Sequence, residues 1–207
     1  MKIVFTILLS AFCIVCFSQS YKTVYEVVSI TEPQIFYLNS KLRLGGKTRN
    51  SIKVDLPENT IQWSYVFTTS LSKQSSQINL KDQLSDMVSS LPGGIAAGLT
   101  VGAISQIIKP TGAGVVDVYL ARYEEYLNFN NGESFSYIIE GSRENFKEGS
   151  ILVDDIKSGS AFICFKNPSP TEGIYVIVEV AAIVAKKEYV DEWTLENKQK
   201  LINSGEF

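Results

Sequence analysis

Apolar residues recur at every second position through most of the chain, and this period constrains the fold more than any other feature. A strand places alternate side chains on opposite faces, so the pattern predicts half-buried strands. In IQWSYVF, one face is predicted to carry Ile61, Trp63, Tyr65 and Phe67. Nine segments fit, at residues 23–30, 34–44, 51–56, 61–67, 115–121, 134–140, 150–156, 160–166 and 174–184. Turn sequences such as LGGK and NNGE separate them, which predicts a mainly β, antiparallel β-sandwich.

Two stretches of the chain echo each other. SIKVD from Ser51 and SILVD from Ser150 each precede a turn and a second strand, and one inserted residue, Asp155, aligns them. We interpret them as two equivalent units of a pseudo-symmetric sandwich; the alternative is that any two hairpins look alike at this length. The last segment, IYVIVEVAAIV, is apolar on both faces apart from Glu179, which predicts a central strand.

The N-terminus has the order of a secretory signal peptide. One lysine precedes an uncharged apolar run, and small and polar residues follow it. We predict a signal peptide over residues 1–18 with cleavage after Ser18, and a protein that is secreted to the periplasm or cell surface. A transmembrane anchor is the alternative, but the run is shorter than the ~20 residues that span a bilayer. The sandwich domain is then predicted over residues 19–186.

The residue types that are missing narrow the possible functions. The chain contains no histidine, which removes the commonest general base and most zinc sites. Loss of Lys2 with the signal peptide changes the formal net charge from −3 to −4 and leaves Cys164 as the single cysteine. This mild acidic excess argues against nucleic acid and anionic membranes as partners. We therefore predict no enzyme activity, no cofactor and no metal site.

The strand pattern is interrupted between residues 71 and 114, where we predict a helical hairpin. Asn79 is a candidate cap for a helix whose apolar stripe is Leu80, Leu84, Met87, Val88 and Leu91. LPGGIAAGLTVGAISQIIKP follows, with small residues spaced by four at Gly94, Gly98 and Gly102. Residues 95–108 would make about 21 Å of helix, less than the ~30 Å bilayer core. The segment is predicted to pack on the sandwich; insertion into a membrane is the alternative.

The C-terminal residues 187–207 predict a helix with Val190, Trp193 and Leu201 on one side. A lone terminal helix usually docks on its own domain. The abrupt end leaves open that a natural chain continues past Phe207.

The second half resembles the bacterial pre-peptidase C-terminal (PPC-like) domain. That family has an Asp-x-Tyr-Leu strand, a glycine turn before an aromatic strand, and a closing Gly-x-Tyr strand. The matching positions are Asp117, Tyr119, Leu120, Gly159, Phe162, Gly173 and Tyr175. The likeness covers roughly residues 51–184 without the insert. It implies a jelly-roll-like, non-catalytic module of secreted proteins, although this chain lacks a protease domain and carries a foreign insert.

Aromatic side chains supply the main candidate binding site. Tyr119, Tyr123 and Tyr126 in VYLARYEEYLNF are predicted to stack on sugar rings or a partner chain if they are exposed; packing on the strand face is the alternative. The adjacent acids Asp154-Asp155 and Glu124-Glu125 point to opposite faces of a strand, so neither pair is expected to act as a catalytic couple.

These observations lead to three hypotheses, one of which, ranked last, is a hydrolase that uses only carboxylates. The other two are of different class. The first is a secreted binding module of the bacterial envelope, with an envelope protein or a glycan as its partner. The second is a membrane-active protein that uses residues 79–108, with Gly94, Gly98 and Gly102 in its packing stripe.

Overall fold

A computed structural model describes residues 20–73, 78–91, 99–190 and 202–203. The chain divides into two compact units, one made of Met1–Val24 and Lys187–Phe207 and the other of Tyr25–Lys186. In the first unit, the described residues are the start of the first strand and the end of the last one, where the rings of Tyr21 and Tyr189 meet edge to face at 6.1 Å. The second unit contains the sandwich described below, apart from residues 20–24 of the first strand and 187–190 of the last one.

In the described ranges, eight strands form two antiparallel sheets of four, which confirms a mainly β, sandwich-like fold. The strands are β1 Ser20–Leu38, β2 Arg49–Asp55, β3 Thr60–Ser70, β4 Val116–Ala121, β5 Ile138–Phe146, β6 Glu148–Val153, β7 Ser160–Lys166 and β8 Ile174–Val190. One sheet has the order β1-β8-β3-β6 and the other β2-β7-β4-β5. Strand β8 lies inside its sheet, as its two apolar faces predicted.

The main core lies between the two sheets and follows the predicted alternation. On β3, the buried rings of Trp63, Tyr65 and Phe67 all belong to this core. The prediction for Ile61 was wrong, because its side chain packs with the cluster on the outer face instead. The pairing of β3 with β8 shifts register between Thr60 and Gln62, so Ile61 is an extra residue that a β-bulge turns to the other face.

Most predicted strands differ from the structure by a few residues at their ends, and the differences below are larger or change an assignment. The predicted strands 23–30 and 34–44 are one strand, β1, that runs through Pro33 and ends at Leu38. The predicted strand 134–140 starts later, at Ile138, and continues to Phe146. Strand β8 extends through residues 187–190, which had been assigned to the C-terminal helix. Most of that predicted helix lies outside the described residues; those described after Val190 are Ile202 and Asn203, which are helical.

The two echoing stretches occupy equivalent positions. Each leaves one sheet and enters the other through a turn, β2 to β3 in the first case and β6 to β7 in the second. The aligned turn residues Asn59 and Gly159 both have positive φ, 58° and 76°. The two stretches also pair with each other, β2 with β7 and β3 with β6. This arrangement fits the pseudo-symmetric interpretation.

The insert packs on the outer face of the β1-β8-β3-β6 sheet. Its described residues contain two helices, α1 Leu80–Ser90 and α2 Val101–Ser105. Leu80, Leu84 and Ile104 are buried against outward-facing side chains of β3 and β8. None of the helices among the described residues combines the length and the apolar composition that crossing a membrane requires.

Helix α1 begins where predicted, but its N-terminal cap is different. Asn79 adopts a left-handed conformation and makes no side-chain cap bond. Instead, the buried carboxylate of Glu179 on β8 accepts hydrogen bonds from the backbone N–H groups of Ile78 at 2.7 Å, Asn79 at 3.2 Å and Leu80 at 2.8 Å. Glu179, the one acidic residue in the apolar segment 174–184 of β8, therefore anchors the insert to the sheet.

The opposite sheet carries a helix that the alternation pattern did not predict, α3 Tyr123–Asn131. It begins directly after β4, and Gly132, which follows its last residue, is the C-terminal cap with a φ of 80°. Glu124 and Glu125 lie in its first turn, where acids favour a helix. Both outer faces of the sandwich are thus covered by helices in the described part of the chain.

Candidate functional site

Aromatic side chains form a cluster under α3, on the outer face of the β2-β7-β4-β5 sheet. We call it the outer aromatic cluster; its members are Tyr119, Tyr123, Tyr126, Phe129, Phe135, Tyr137 and Phe162. Its tightest contact stacks Tyr126 of α3 on Phe162 of β7, with ring centroids 4.2 Å apart and planes inclined by 14°. Residues one helical turn apart on α3 share a face, so Tyr126 and Phe129 both reach the sheet. The cluster fixes α3 on the sandwich.

The three predicted tyrosines have different surroundings. Tyr119 is only 6% exposed, and its ring neighbours are Phe129, Phe135 and Tyr137. It packs on the strand face, the alternative that the sequence left open. Tyr123 is 60% exposed, and Tyr126 is half-buried with its ring 6.2 Å from that of Tyr123. The structure therefore brings Tyr123 and Tyr126 together at the surface.

A cleft of about 600 Å³ opens beside Tyr126, between the start of β2 and α3. We call it the β2–α3 cleft; it is lined by Gly46, Lys47, Thr48, Arg49, Asn50, Ser51, Tyr126 and Asn130. Its lining combines two cations, two amides, two hydroxyls and one phenol, so it offers many hydrogen-bond donors around a single aromatic ring. Among the described residues no carboxylate lines it, which favours an anionic or polyhydroxylated ligand.

Arg49 connects the two walls of this cleft. Its Nη1 donates a hydrogen bond of 3.2 Å to the Phe129 carbonyl near the C-terminus of α3, where a positive charge is favourable. Its guanidinium also lies over the Phe129 ring, 5.4 Å from the centroid. Its Nε is buried and has no hydrogen-bond partner within the described structure. Arg49 therefore holds α3 at a fixed distance from β2 and sets the width of the cleft.

Two tyrosine hydroxyls of the cluster lie among acids and are kept protonated. Burial, followed by the charge of Asp117, raises the pKa of Tyr119 well above its ordinary value. The charge of Glu144 is the largest cause that raises the pKa of Tyr137, whose hydroxyl donates to Glu144 at 3.3 Å. Neither phenol is set up to lose its proton near neutral pH, so these groups act as hydrogen-bond donors and packing surface.

The predicted glycine stripe is only partly described. Gly94 and Gly98 lie outside the described residues, whereas Gly102 lies exposed in α2. Two glutamine side chains clamp the flanking backbone. Gln62 of β3 donates to and accepts from the backbone of Leu99, at 3.2 and 2.7 Å, and Gln83 of α1 does the same with Ile108, at 2.9 and 2.7 Å. The described part of the insert is docked; the membrane-active hypothesis for residues 79–108 stays a prediction.

The other reactive groups lie apart from the cleft. Asp154 and Asp155 are exposed in the turn after β6, and Glu125 accepts a 2.6 Å hydrogen bond from the Ser136 backbone N–H. Cys164 is buried on β7, and burial raises the pKa of its thiol to about 12. Within the described ranges, no three potential metal ligands among cysteine, aspartate and glutamate gather in one place.

Sequence reasoning missed most of the cleft. Lys47, Arg49 and Asn130 were not singled out, because the net negative charge of the chain hides a local excess of cations. A signal was present: residues 33–54 contain five cations, Lys41, Arg43, Lys47, Arg49 and Lys53, and no acid. The amide Asn130 joins this set only through the position of α3, which the strand pattern did not predict.

Comparison with known proteins assigns no family to this chain, so its function is inferred from its structure. No protein-family model matches the sequence. The search of curated proteins also finds no match.

Proposed function

We propose that the protein is a non-catalytic β-sandwich binding module of the bacterial envelope, secreted after removal of residues 1–18, and that the β2–α3 cleft is its ligand site. The observation that carries the proposal is the composition of the cleft, whose described lining combines two cations and two amides with one tyrosine ring and contains no carboxylate. The partner class is a glycan, and the lining favours one that bears an anionic group such as a uronic acid or a phosphate.

The chemistry of the cleft supports this ligand class. Sugar rings present an apolar face that stacks on an aromatic ring, here Tyr126, and hydroxyls that pair with amides such as Asn50 and Asn130. The ammonium of Lys47 supplies a compact charge for a carboxylate or phosphate. Tyr123, which is exposed on the same helix, extends the aromatic surface beyond the cleft.

We propose further that the sandwich is a jelly roll, as the resemblance to the pre-peptidase C-terminal domain implies. The strand order supports this. Pairing β1 with β8, β2 with β7, β3 with β6 and β4 with β5 makes one long antiparallel ribbon, and folding that ribbon over brings β8 beside β3 and β7 beside β4. The matching residues Asp117, Tyr119 and Leu120 lie on β4, and Gly159 lies in the turn before β7. Membership of that family stays a prediction.

Titration calorimetry with neutral and acidic envelope oligosaccharides tests the cleft. We expect acidic oligosaccharides to bind, and Lys47→Ala with Asn130→Ala to weaken binding about tenfold or more through loss of a charge and an amide. The matched control is Lys53→Ala with Asn131→Ala, which removes the same residue types from β2 and α3 without touching the cleft. Equal loss in both double variants would contradict the assignment.

The non-catalytic part of the proposal has its own test. Incubation of the same oligosaccharides with the protein should return them unchanged, as judged by chromatography. Hydrolysis that disappears when one carboxylate, such as Asp154 or Glu144, is replaced by its amide would show that the protein is an enzyme.

A further inference from the structure

The loop between β1 and β2 exposes two leucines that the sandwich does not use. Leu42 is 73% exposed and Leu44 is 98% exposed. Single exposed apolar residues are common on protein surfaces. Here, however, two large side chains project from one loop tip, beside Gly45, whose φ is +83° and around which nothing lies within 4 Å of an added Cβ. The loop therefore ends in a small apolar tip in open solvent.

Backbone hydrogen bonds give this loop a defined shape. The Asn39 N–H donates to the Lys47 carbonyl at 2.9 Å and closes the base of the loop. The N–H groups of Lys41 and Leu42 donate to the carbonyls of Ser169 and Pro170, both at 3.0 Å, and tie one side of the loop to the β7–β8 connection. These contacts hold the backbone so that Leu42 and Leu44 face away from the core.

Cations flank the two leucines along the chain. Lys41 and Arg43 alternate with the two leucines, and Lys47 follows at the base of the loop. None of these three cations makes an ion pair with a residue that the structure describes. The Arg43 guanidinium donates only a long hydrogen bond of 3.4 Å, to the Tyr37 hydroxyl. Glu172 is the one acid in the neighbouring segment 167–173.

We propose that this loop docks the protein on an anionic lipid bilayer, with Leu42 and Leu44 entering the interface and Lys41, Arg43 and Lys47 contacting lipid phosphates. An apolar tip flanked along the chain by cations that make no ion pair within the described structure matches a bilayer surface, whose phosphates lie above an apolar interior. Long basic side chains keep their charge at the phosphate level while their stems follow the leucines inward. A nucleic acid or a soluble acidic glycan would use the cations but would leave the leucines in water.

Sedimentation with lipid vesicles tests the docking. The sample is the exported protein, without residues 1–18. We expect binding to vesicles of phosphatidylcholine mixed with phosphatidylglycerol, and little binding to phosphatidylcholine alone. Leu42→Ser with Leu44→Ser should reduce partitioning about tenfold or more. Lys41→Gln with Arg43→Gln should reduce it about fivefold for each cation removed. Added salt should weaken the binding of the unaltered protein.

The matched controls remove equally exposed groups elsewhere. Ile108 and Ile139 are 79% and 74% exposed, so Ile108→Ser with Ile139→Ser tests a general loss of apolar surface. Lys81→Gln with Lys157→Gln tests a general loss of charge. Both control variants should partition as the unaltered protein does. If they lose as much as the loop variants, or if the loop variants keep full binding, the proposal is wrong.

A fluorescent label on Leu44→Cys gives a second readout that does not depend on affinity. The buried Cys164 thiol should not react with the label, so the dye reports on the loop alone. The emission should shift to shorter wavelength when anionic vesicles are added. If the vesicles bind and the emission does not change, the contact lies elsewhere and the proposal is wrong. If heparin or inositol phosphate binds and vesicles do not, the partner is a soluble anion instead.

Glycan binding by the loop variants separates this proposal from the function proposed for the cleft. The loop variants should bind glycans as tightly as the unaltered protein does, because their substitutions lie outside the lining of the cleft.

Discussion

Replacing Glu179 by glutamine is expected to lower the free energy of unfolding by about 2 to 3 kcal/mol. The carboxylate is buried in the centre of the β1-β8-β3-β6 sheet and accepts from three successive backbone N–H groups, those of Ile78, Asn79 and Leu80. These donors include the start of α1, which the helix itself leaves unpaired. Glutamine preserves the size of the side chain, so the substitution tests the hydrogen bonds without opening a cavity.

The magnitude follows from the geometry of the three bonds. Oε1 accepts from Ile78 and Asn79, and Oε2 accepts from Leu80. An amide retains one oxygen, so the bond to Leu80 is lost, at about 1.5 to 3 kcal/mol for a charged acceptor, and each remaining bond weakens by roughly 1 kcal/mol. The desolvation free energy of a buried amide is smaller than that of a buried carboxylate, and this difference offsets part of the loss. The net effect stays destabilising because two of the donors belong to the buried residues Ile78 and Leu80.

Urea denaturation followed by circular dichroism measures the change in the free energy of unfolding. In thermal denaturation, the melting temperature should fall by roughly 4 to 12 °C for a domain of this size. Glu140→Gln removes the same charge from an exposed position on β5 and serves as the control. Hydrogen exchange adds a local test, since the amides of Ile78 and Leu80 should lose protection before those of β8. A Glu179→Gln protein as stable as the control would refute the assignment of Glu179 as the anchor of the insert.

Three further predictions concern the core and the turns. Gly159→Ala should destabilise by about 1 to 2 kcal/mol in urea, because a left-handed backbone is costly for alanine, whereas Asn59→Gly at the equivalent turn should change stability by a few tenths of a kcal/mol at most; similar losses at both turns would contradict this. The Cys164 thiol, whose pKa burial raises to about 12, should remain protonated and unreactive towards Ellman's reagent between pH 7 and 9 until the protein unfolds, and rapid native-state reaction would contradict it. Tyr65→Phe should cost about 1 to 2 kcal/mol in urea, because the Tyr65 hydroxyl donates to the Gly141 carbonyl across the core and phenylalanine leaves that acceptor unpaired; unchanged stability would mean that the carbonyl finds another donor.

Strand faces were predictable from sequence where the period was unbroken. Trp63, Tyr65 and Phe67 face the core because alternation is a local property of an extended chain. Ile61 was predicted on the wrong face, because the bulge that turns it outward depends on how β3 pairs with β8. Pairing is a long-range property that one segment does not reveal. The similarity between SIKVD and SILVD could be recognised from sequence because both stretches precede a turn that connects one sheet to the other.

The signals for helix α3 were present, but the strand pattern outweighed them. Two acids lie in the first turn of the helix and Gly132 follows its last residue, as at the ends of many helices. The aromatic side chains were instead interpreted as strand or binding residues. One of the three predicted tyrosines therefore has a different role: Tyr119 lies in the packing under α3. Tyr126 lines a cleft that exists only because α3 lies beside β2.

The distribution of helices also bears on where a partner binds. Sandwich modules can bind ligands on the open face of a sheet, but here α1 and α2 cover one outer face and α3 covers the other. Recognition in the described part of the chain is therefore expected at the loops and their borders. Lys47 lies at the base of the apolar loop and also lines the β2–α3 cleft, so the two proposed surfaces are continuous. Docking of the loop on a bilayer would then place the cleft at the membrane surface. Binding of the two ligands should therefore be cooperative when an anionic lipid and a lipid-linked acidic glycan are present on one vesicle.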